Sequence, residues 1–151
     1  MFFDEEMLLD LRLNIMDKYV DKFVITEATY THSGSPKKLI FDINKFSKFK
    51  DKIIYIVVDK PPPNLLKIDE SDSSNKRQSK MTINAKKREI YQINKTQDEI
   101  VKANPEDIII ISDLDEIPNL EKVDFRTITQ KLIFFRQKMF YYKLNLFHKS
   151  L

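Results

Sequence analysis

Apolar residues along this chain fall first at helical spacing and then at strand spacing. Between residues 3 and 18, Leu8, Leu11 and Ile15 run beside Leu9, Leu13 and Met16, a broad stripe that predicts an amphipathic helix. Asp4 is its expected N-cap, with Glu5 and Glu6 in the first turn. Residues 20–27 read as a strand, and residues 53–58, all β-branched or aromatic, as a second. Between them lie a loop at 29–36 that contains Gly34, a short extended piece at 38–41 and a Lys- and Phe-rich helical turn at 44–49. Pro61-Pro62-Pro63 ends the second strand and opens an irregular polar segment over 61–81, whose acidic, Ser-rich part at 69–74 is expected to be mobile. A helix is predicted from about 84 to 103, with Ile90, Ile93, Ile100 and Val101 on one side and Asn104-Pro105 as its stop. Four consecutive isoleucines, 108–111, then predict a strand over 107–112 buried on both faces inside a parallel sheet. After Pro118 come a short amphipathic piece and two extended segments, at 131–135 and 138–147. Strand, connection, strand, helix, strand predicts an α/β fold in a single domain covering 1–151.

Chemistry gathers where the isoleucine run ends. Asp113, Asp115 and Glu116 follow Ser112 directly, and in an open α/β sheet ligands bind beyond the carboxyl ends of the strands. Asp-x-Asp there suits a hard divalent cation such as Mg²⁺ or Mn²⁺, which takes oxygen ligands and bridges to phosphates. The plainer alternative is a solvated acidic turn after a core strand.

Composition narrows the options. The chain has 151 residues and is 42% hydrophobic, enough for one domain with its own core. It has no Cys, which excludes a disulfide framework, a zinc-thiolate site and a cysteine nucleophile. His32 and His148 are too few for a histidine-rich metal site. Gly34 is the only glycine, so a Walker loop or a dinucleotide fingerprint is ruled out, and nucleotide phosphates must be held by a metal and side chains. A net charge of +3 does not imply nucleic acid as a partner. Between Lys76 and Arg88, six basic residues occur without an acidic one, either a solvated helix face or a cationic wall for phosphates. No apolar run reaches the length of a membrane span and the acidic opening is unlike a signal peptide, so the expected compartment is cytoplasmic. The sequon Asn94-Lys95-Thr96 is accordingly read as chance.

Several segments together resemble glycosyltransferase family 17, which includes the β-1,4-mannosyl-glycoprotein β-1,4-N-acetylglucosaminyltransferases. Residues 21–34, Asp-Lys-Phe-Val-Ile-Thr-Glu-Ala-Thr-Tyr-Thr-His-Ser-Gly, look like its N-terminal signature. Phe3-Asp4-Glu5 with Leu8-Leu9 and Arg12-Leu13 resembles its opening helix, and residues 52–59, ending at Asp59, its second strand. Arg88-Glu89-x-x-Gln92-x-Asn94, then 112–118, then Tyr141-Tyr142-x-Leu144-Asn145 follow in the family's order. One departure is Ile93, where the family pattern has Arg between Gln and Asn.

The resemblance implies an A-type glycosyltransferase fold, Rossmann-like, and inverting transfer of N-acetylglucosamine from UDP-GlcNAc to a glycan acceptor. It implies Asp115 as direct ligand to Mn²⁺ or Mg²⁺, Asp113 on the metal through water or on the ribose, and Glu116 orienting them. Glu27 is expected to accept from uracil or ribose hydroxyls, or else to satisfy backbone donors of the following loop. Arg88 is expected to pair with the diphosphate, with His32 and Asn94 lining the donor pocket. The family's domain extends past the length of this chain, so the carboxylate base that deprotonates the acceptor is expected beyond it; no catalytic residue is assigned. Two alternatives stand beside the enzyme reading. One is a nucleotide-sugar or metal-binding module without turnover; the other is a phosphatase of the haloacid dehalogenase type, with Asp113 as nucleophile. Apolar edges at 133–135 and 139–146 make self-association an expectation as well.

Overall fold

The computed structural model describes residues 1–140, and the expected motif at 141–145 lies outside them, as does most of the 138–147 segment. The elements are α1 (Glu6–Met16), β1 (Phe23–Ala28), a 3₁₀ helix (Ile43–Phe49), β2 (Ile53–Val58), α2 (Ser74–Asn94), α3 (Gln97–Ile100) and two 3₁₀ turns (Leu120–Lys122 and Phe125–Thr127). Helices and parallel strands alternate, so the fold is α/β. β1 and β2 pair in parallel from Phe23 opposite Ile53 to Ala28 opposite Val58.

Strand alternation sorts the packing. On one face of β1, Phe23 and Ile25 join Leu9, Leu13 and Met16 of α1, Phe46 and Phe49 of the 3₁₀ helix, Phe2 and Leu120 in the main core. On the other face, Ala28 packs with Val58, Tyr30 and Tyr91 of α2. α1 and α2 therefore lie on opposite faces of the sheet. Only half of the predicted α1 stripe is buried: Leu9 and Leu13 are within the core, whereas Leu11 and Ile15 are exposed. Asp4 does not cap the helix. The N-cap is Glu5, whose Oε2 accepts from the backbone N–H groups of Phe3 and Asp4, each at 3.1 Å.

The predicted helix over 84–103 starts earlier and stops earlier. Ser73 caps α2, its hydroxyl accepting from Lys76 N, and Asn94 is the last helical residue. The segment at 69–74 is tied down by ion pairs from Asp72 to Lys76 and Lys80, and from Asp69 to Lys80. Lys80, then the Asp69 N–H and Lys76, hold the Asp72 carboxyl below the usual aspartate range. Nor does α2 bury its isoleucines: Ile83 and Ile90 face solvent, Ile93 is half-buried, and the helix's buried residues are Asn84 and Gln92; Val101, beyond α3, is exposed too. Their side-chain amides (Asn84 and Gln92) bind backbone groups of other segments. Asn84 donates to Leu66 O at 2.8 Å and accepts from Leu66 N at 2.7 Å, pinning the coil after the prolines.

The largest correction concerns the isoleucine run. Residues 107–112 form no strand, and Ile108, Ile109 and Ile111 are exposed at 45–72%; only Ile110 packs against the core. The reason lies at the edge of β1 that faces away from β2. There the Thr26 carbonyl already accepts from Phe2 N at 2.9 Å and from Gln92 Nε2 at 3.4 Å. A third strand at that edge would have to displace both donors. Residues 131–135 likewise form no strand, with Leu132 and Phe134 exposed.

Candidate functional site

Two groups of the predicted residues are organised by side chains from elsewhere in the chain. The first is the acidic turn. Asp113 O accepts from Glu116 N at 3.1 Å and Glu116 Oε2 accepts from Asp113 N at 3.1 Å, closing a tight loop. Arg12, from the middle of α1, enters beneath it. Nη1 donates to Asp113 O at 2.8 Å, Glu116 O at 2.9 Å and, more weakly, Leu114 O at 3.4 Å, while Nη2 donates to Ser112 Oγ at 2.6 Å. Leu114, Ile117 and Ile110 pack against the core on the same side. The backbone carbonyls are thus turned inward, and Asp113, Asp115 and Glu116 stand exposed. Burial lowers the pKa of the Arg12 guanidinium from its ordinary value, while Glu116, Asp115 and Asp113 pull it back up.

Among the described residues, no three His, Cys, Asp or Glu side chains are gathered closely enough to enclose a metal ion. The donor set nevertheless fits Mg²⁺ or Mn²⁺ chemically. Such ions use one or two carboxylates and complete their shell with water and substrate phosphates rather than with an all-protein cage.

The second group surrounds the loop after β1. Arg88 of α2 donates from Nη1 to His32 O at 2.9 Å, and its guanidinium lies against Gly34. Gly34 has φ +98°, a conformation that L side chains rarely adopt, and a Cβ there would stand 2.6 Å from Arg88 Nη2. The loop is closed by Thr31 N to Ser35 O and Lys37 N to Thr29 O, both at 2.8 Å, and by a bridge between Tyr30 and Pro36. Arg88 could swing aside, but the backbone strain would remain. Gly34→Ala is therefore expected to destabilise the protein by about 1–2 kcal/mol. A denaturant titration checks this, and unchanged stability would count against the positive φ.

Glu27 lies wholly inside the protein. Its carboxylate accepts from Lys37 Nζ, Tyr55 OH at 2.7 Å, Ile40 N at 2.9 Å and Phe41 N at 3.1 Å. Of its two expected uses, the structure displays the second, satisfaction of donors in the following loop. Burial alone would raise its pKa, but Lys37, Tyr55 and the two N–H groups outweigh it and hold the carboxyl below its ordinary value. The same burial and the neighbouring Glu27 push the Tyr55 hydroxyl up.

Asn94 is exposed at the end of α2. Among the described residues, no hydrogen bond or ion pair joins the Arg88–His32–Gly34 group to the acidic turn. The basic run of α2 is largely committed locally, Lys76 and Lys80 to Asp72, Lys86 to Glu89, and Lys87 to Asn64 O, which favours a helix face over a cationic wall. Beyond the turn, Asp124 holds Arg126 through both of its oxygens. A cleft of about 270 Å³ opens past the carboxyl end of β2, lined by Val58, Asp59, Lys60, Tyr91, Lys95 and Asp98 among others. Arg12, Asn84 and Tyr55 carry no role in the sequence reading, and only Arg12 left a sign: a charged residue between Leu11 and Leu13 in an apolar stripe.

A parallel strand pair flanked by helices, with carboxylates presented on a braced turn, defines an α/β protein. The chain belongs to glycosyltransferase family 17, whose sequence profile matches residues 1–149. Membership makes it a glycosyltransferase by family, acting between a sugar donor and an acceptor, and sets aside the phosphatase alternative. No curated protein and no solved structure matches the chain. Among the described residues, no helix is long and apolar enough to cross a membrane.

Proposed function

We propose that this chain binds UDP-GlcNAc through a divalent ion at the acidic turn and transfers N-acetylglucosamine to a glycan acceptor with inversion, within an A-type glycosyltransferase fold. The observation that carries this reading is the turn itself. Its backbone is held inward by Arg12 while Asp113 and Asp115 project outward, as binding to an ion shared with a ligand requires. The parallel pairing of β1 with β2, with helices on opposite faces, supports the Rossmann-like assignment.

In this reading Asp115 ligates the ion directly, Asp113 reaches it through water or contacts the ribose, and Glu116, hydrogen-bonded to Asp113 N, keeps the turn closed. When bound, Mn²⁺ or Mg²⁺ neutralises charge on the UDP leaving group. Arg88 shapes the loop at 31–35 through His32 O and offers its planar guanidinium toward phosphate. Glu27 acts from within, fixing the segment at 37–41 against β1 and β2.

The test is calorimetric titration of the chain with UDP and UDP-GlcNAc, each with and without Mn²⁺. Saturable binding that requires the metal is the expected result. A folded chain that binds neither nucleotide in Mn²⁺ overturns the proposal, and binding without any donor hydrolysis or transfer restricts it to a binding module.

A further inference from the structure

Arg12 stands at the junction of two elements far apart in sequence, and its guanidinium donates to four groups of the acidic turn. All four of its acceptors belong to residues 112–116, and three of them are backbone carbonyls. None is a carboxylate. A surface arginine beside three acidic residues would ordinarily pair with their side chains, since a bidentate carboxylate is its preferred partner. Here the guanidinium binds the backbone, and among the described residues no ion pair holds the carboxylates of Asp113 and Asp115, although the Met1 ammonium is near enough to feel the charge of Asp113. The guanidinium lies near enough to Asp113, Asp115 and Glu116 to offset their mutual repulsion.

We infer that Arg12 is the positioning residue of this site: it sets the turn so that Asp113 and Asp115 face outward together, and so sets the affinity for the divalent ion. The inference rests on the donor-site reading above and deepens it. Lysine cannot take over this work. A single ammonium cannot reach the carbonyls served by Nη1 and the Ser112 hydroxyl served by Nη2 at once, although it keeps the positive charge. Arg12→Lys therefore separates geometry from charge, whereas Arg12→Ala removes both.

The experiment uses the full chain and two readouts. Amide exchange across 107–120 is followed in the absence of metal, and Mn²⁺ affinity is measured calorimetrically in the presence of UDP. In Arg12→Lys, the Glu116 and Asp113 amides are expected to exchange faster than in the wild type. Mn²⁺ is expected to bind about 10–100-fold more weakly, the range typical for loss of a residue that orients metal ligands. Raising Mn²⁺ should restore UDP binding in this variant, because the carboxylates are still present. Ser112→Ala, which removes only the Nη2 contact, is expected to shift both readouts the same way by a smaller factor, and it serves if the Arg12 variants do not fold.

Unchanged exchange in the turn of Arg12→Lys would overturn the inference, as would faster exchange with Mn²⁺ affinity within twofold of wild type. Failure of the donor-site reading looks different, because the wild-type chain itself then takes up no Mn²⁺ with UDP. In that case the positioning role falls with the site.

Discussion

Asp115→Ala is expected to abolish metal-dependent UDP binding while leaving the fold intact. Asp115 is exposed and accepts no hydrogen bond from elsewhere in the described chain, so its removal should change stability by no more than about 0.5 kcal/mol. Its loss would instead be felt at the ion. A hard cation that takes only one or two protein carboxylates loses a large share of its anchoring when one is deleted. Mn²⁺-supported UDP affinity should fall by about 100-fold or more, beyond the loss expected for a residue that merely orients a ligand. Asp113→Asn should cost less, since a carboxylate acting through water or a ribose hydroxyl is partly replaced by an amide. Titration of both variants beside wild type, with melting curves to verify folding, gives the ranking. Equal affinity in Asp115→Ala and wild type would remove Asp115 from the site.

Glu27→Ala carries the other large expected effect, this time on stability. Deleting the carboxylate leaves Lys37, Tyr55 and the amides of Ile40 and Phe41 without their acceptor in the interior. Breaking a buried ion pair on one side typically costs about 3–5 kcal/mol, and in a chain of this size roughly 10 °C of melting temperature. Glu27→Gln keeps the volume but loses the charge and turns one acceptor into a donor, so it should fall between. The pH dependence has a definite sign. The folded carboxyl sits below its ordinary value, so the unfolded chain takes up the proton first as pH falls. The stabilisation is fully present above the ordinary glutamate range, near pH 4–5, and is lost as pH drops through the lower folded value. In Glu27→Gln that part of the acid sensitivity should disappear. Wild type and variant losing stability in parallel between pH 5 and 3 would contradict the assignment.

How far the sequence reveals this fold depends on whether burial or partner choice decides the element. β2 appears residue for residue at 53–58, because six consecutive β-branched or aromatic residues bounded by charge and proline leave little alternative. The 3₁₀ helix at 43–49 is legible from Phe46 and Phe49, three apart and both buried. β1 begins at Phe23 rather than Val20, since the chain first turns through Tyr19 N to Met16 O. The first half of α2 is almost wholly polar, so apolar periodicity cannot announce it; a Ser cap and ion pairs on Asp72 do that work. The isoleucines at 108–111 declare an apolar segment but not a neighbour, and the free edge of β1 already has donors from Phe2 and Gln92. The site divides in the same way. Residue type alone singles out Asp113, Asp115 and Glu116, while the arginine that arranges them lies a hundred residues away and shows locally only as a charge within an apolar stripe.

That separation bears on how the molecule comes together. Arg12 meets Asp113 across 101 residues of chain, whereas Glu27 meets Phe41 across 14. Loop-closure entropy grows with the logarithm of span, so the longer closure costs about 2 kcal/mol more. The Glu27 hub and the strand pair around it are the local, inexpensive contacts; the acidic turn is secured by the least local one. The turn is therefore expected to be organised after the strand pair. In the proposed reading, the metal and the donor would thus meet a segment whose arrangement depends on contacts from far away in the sequence.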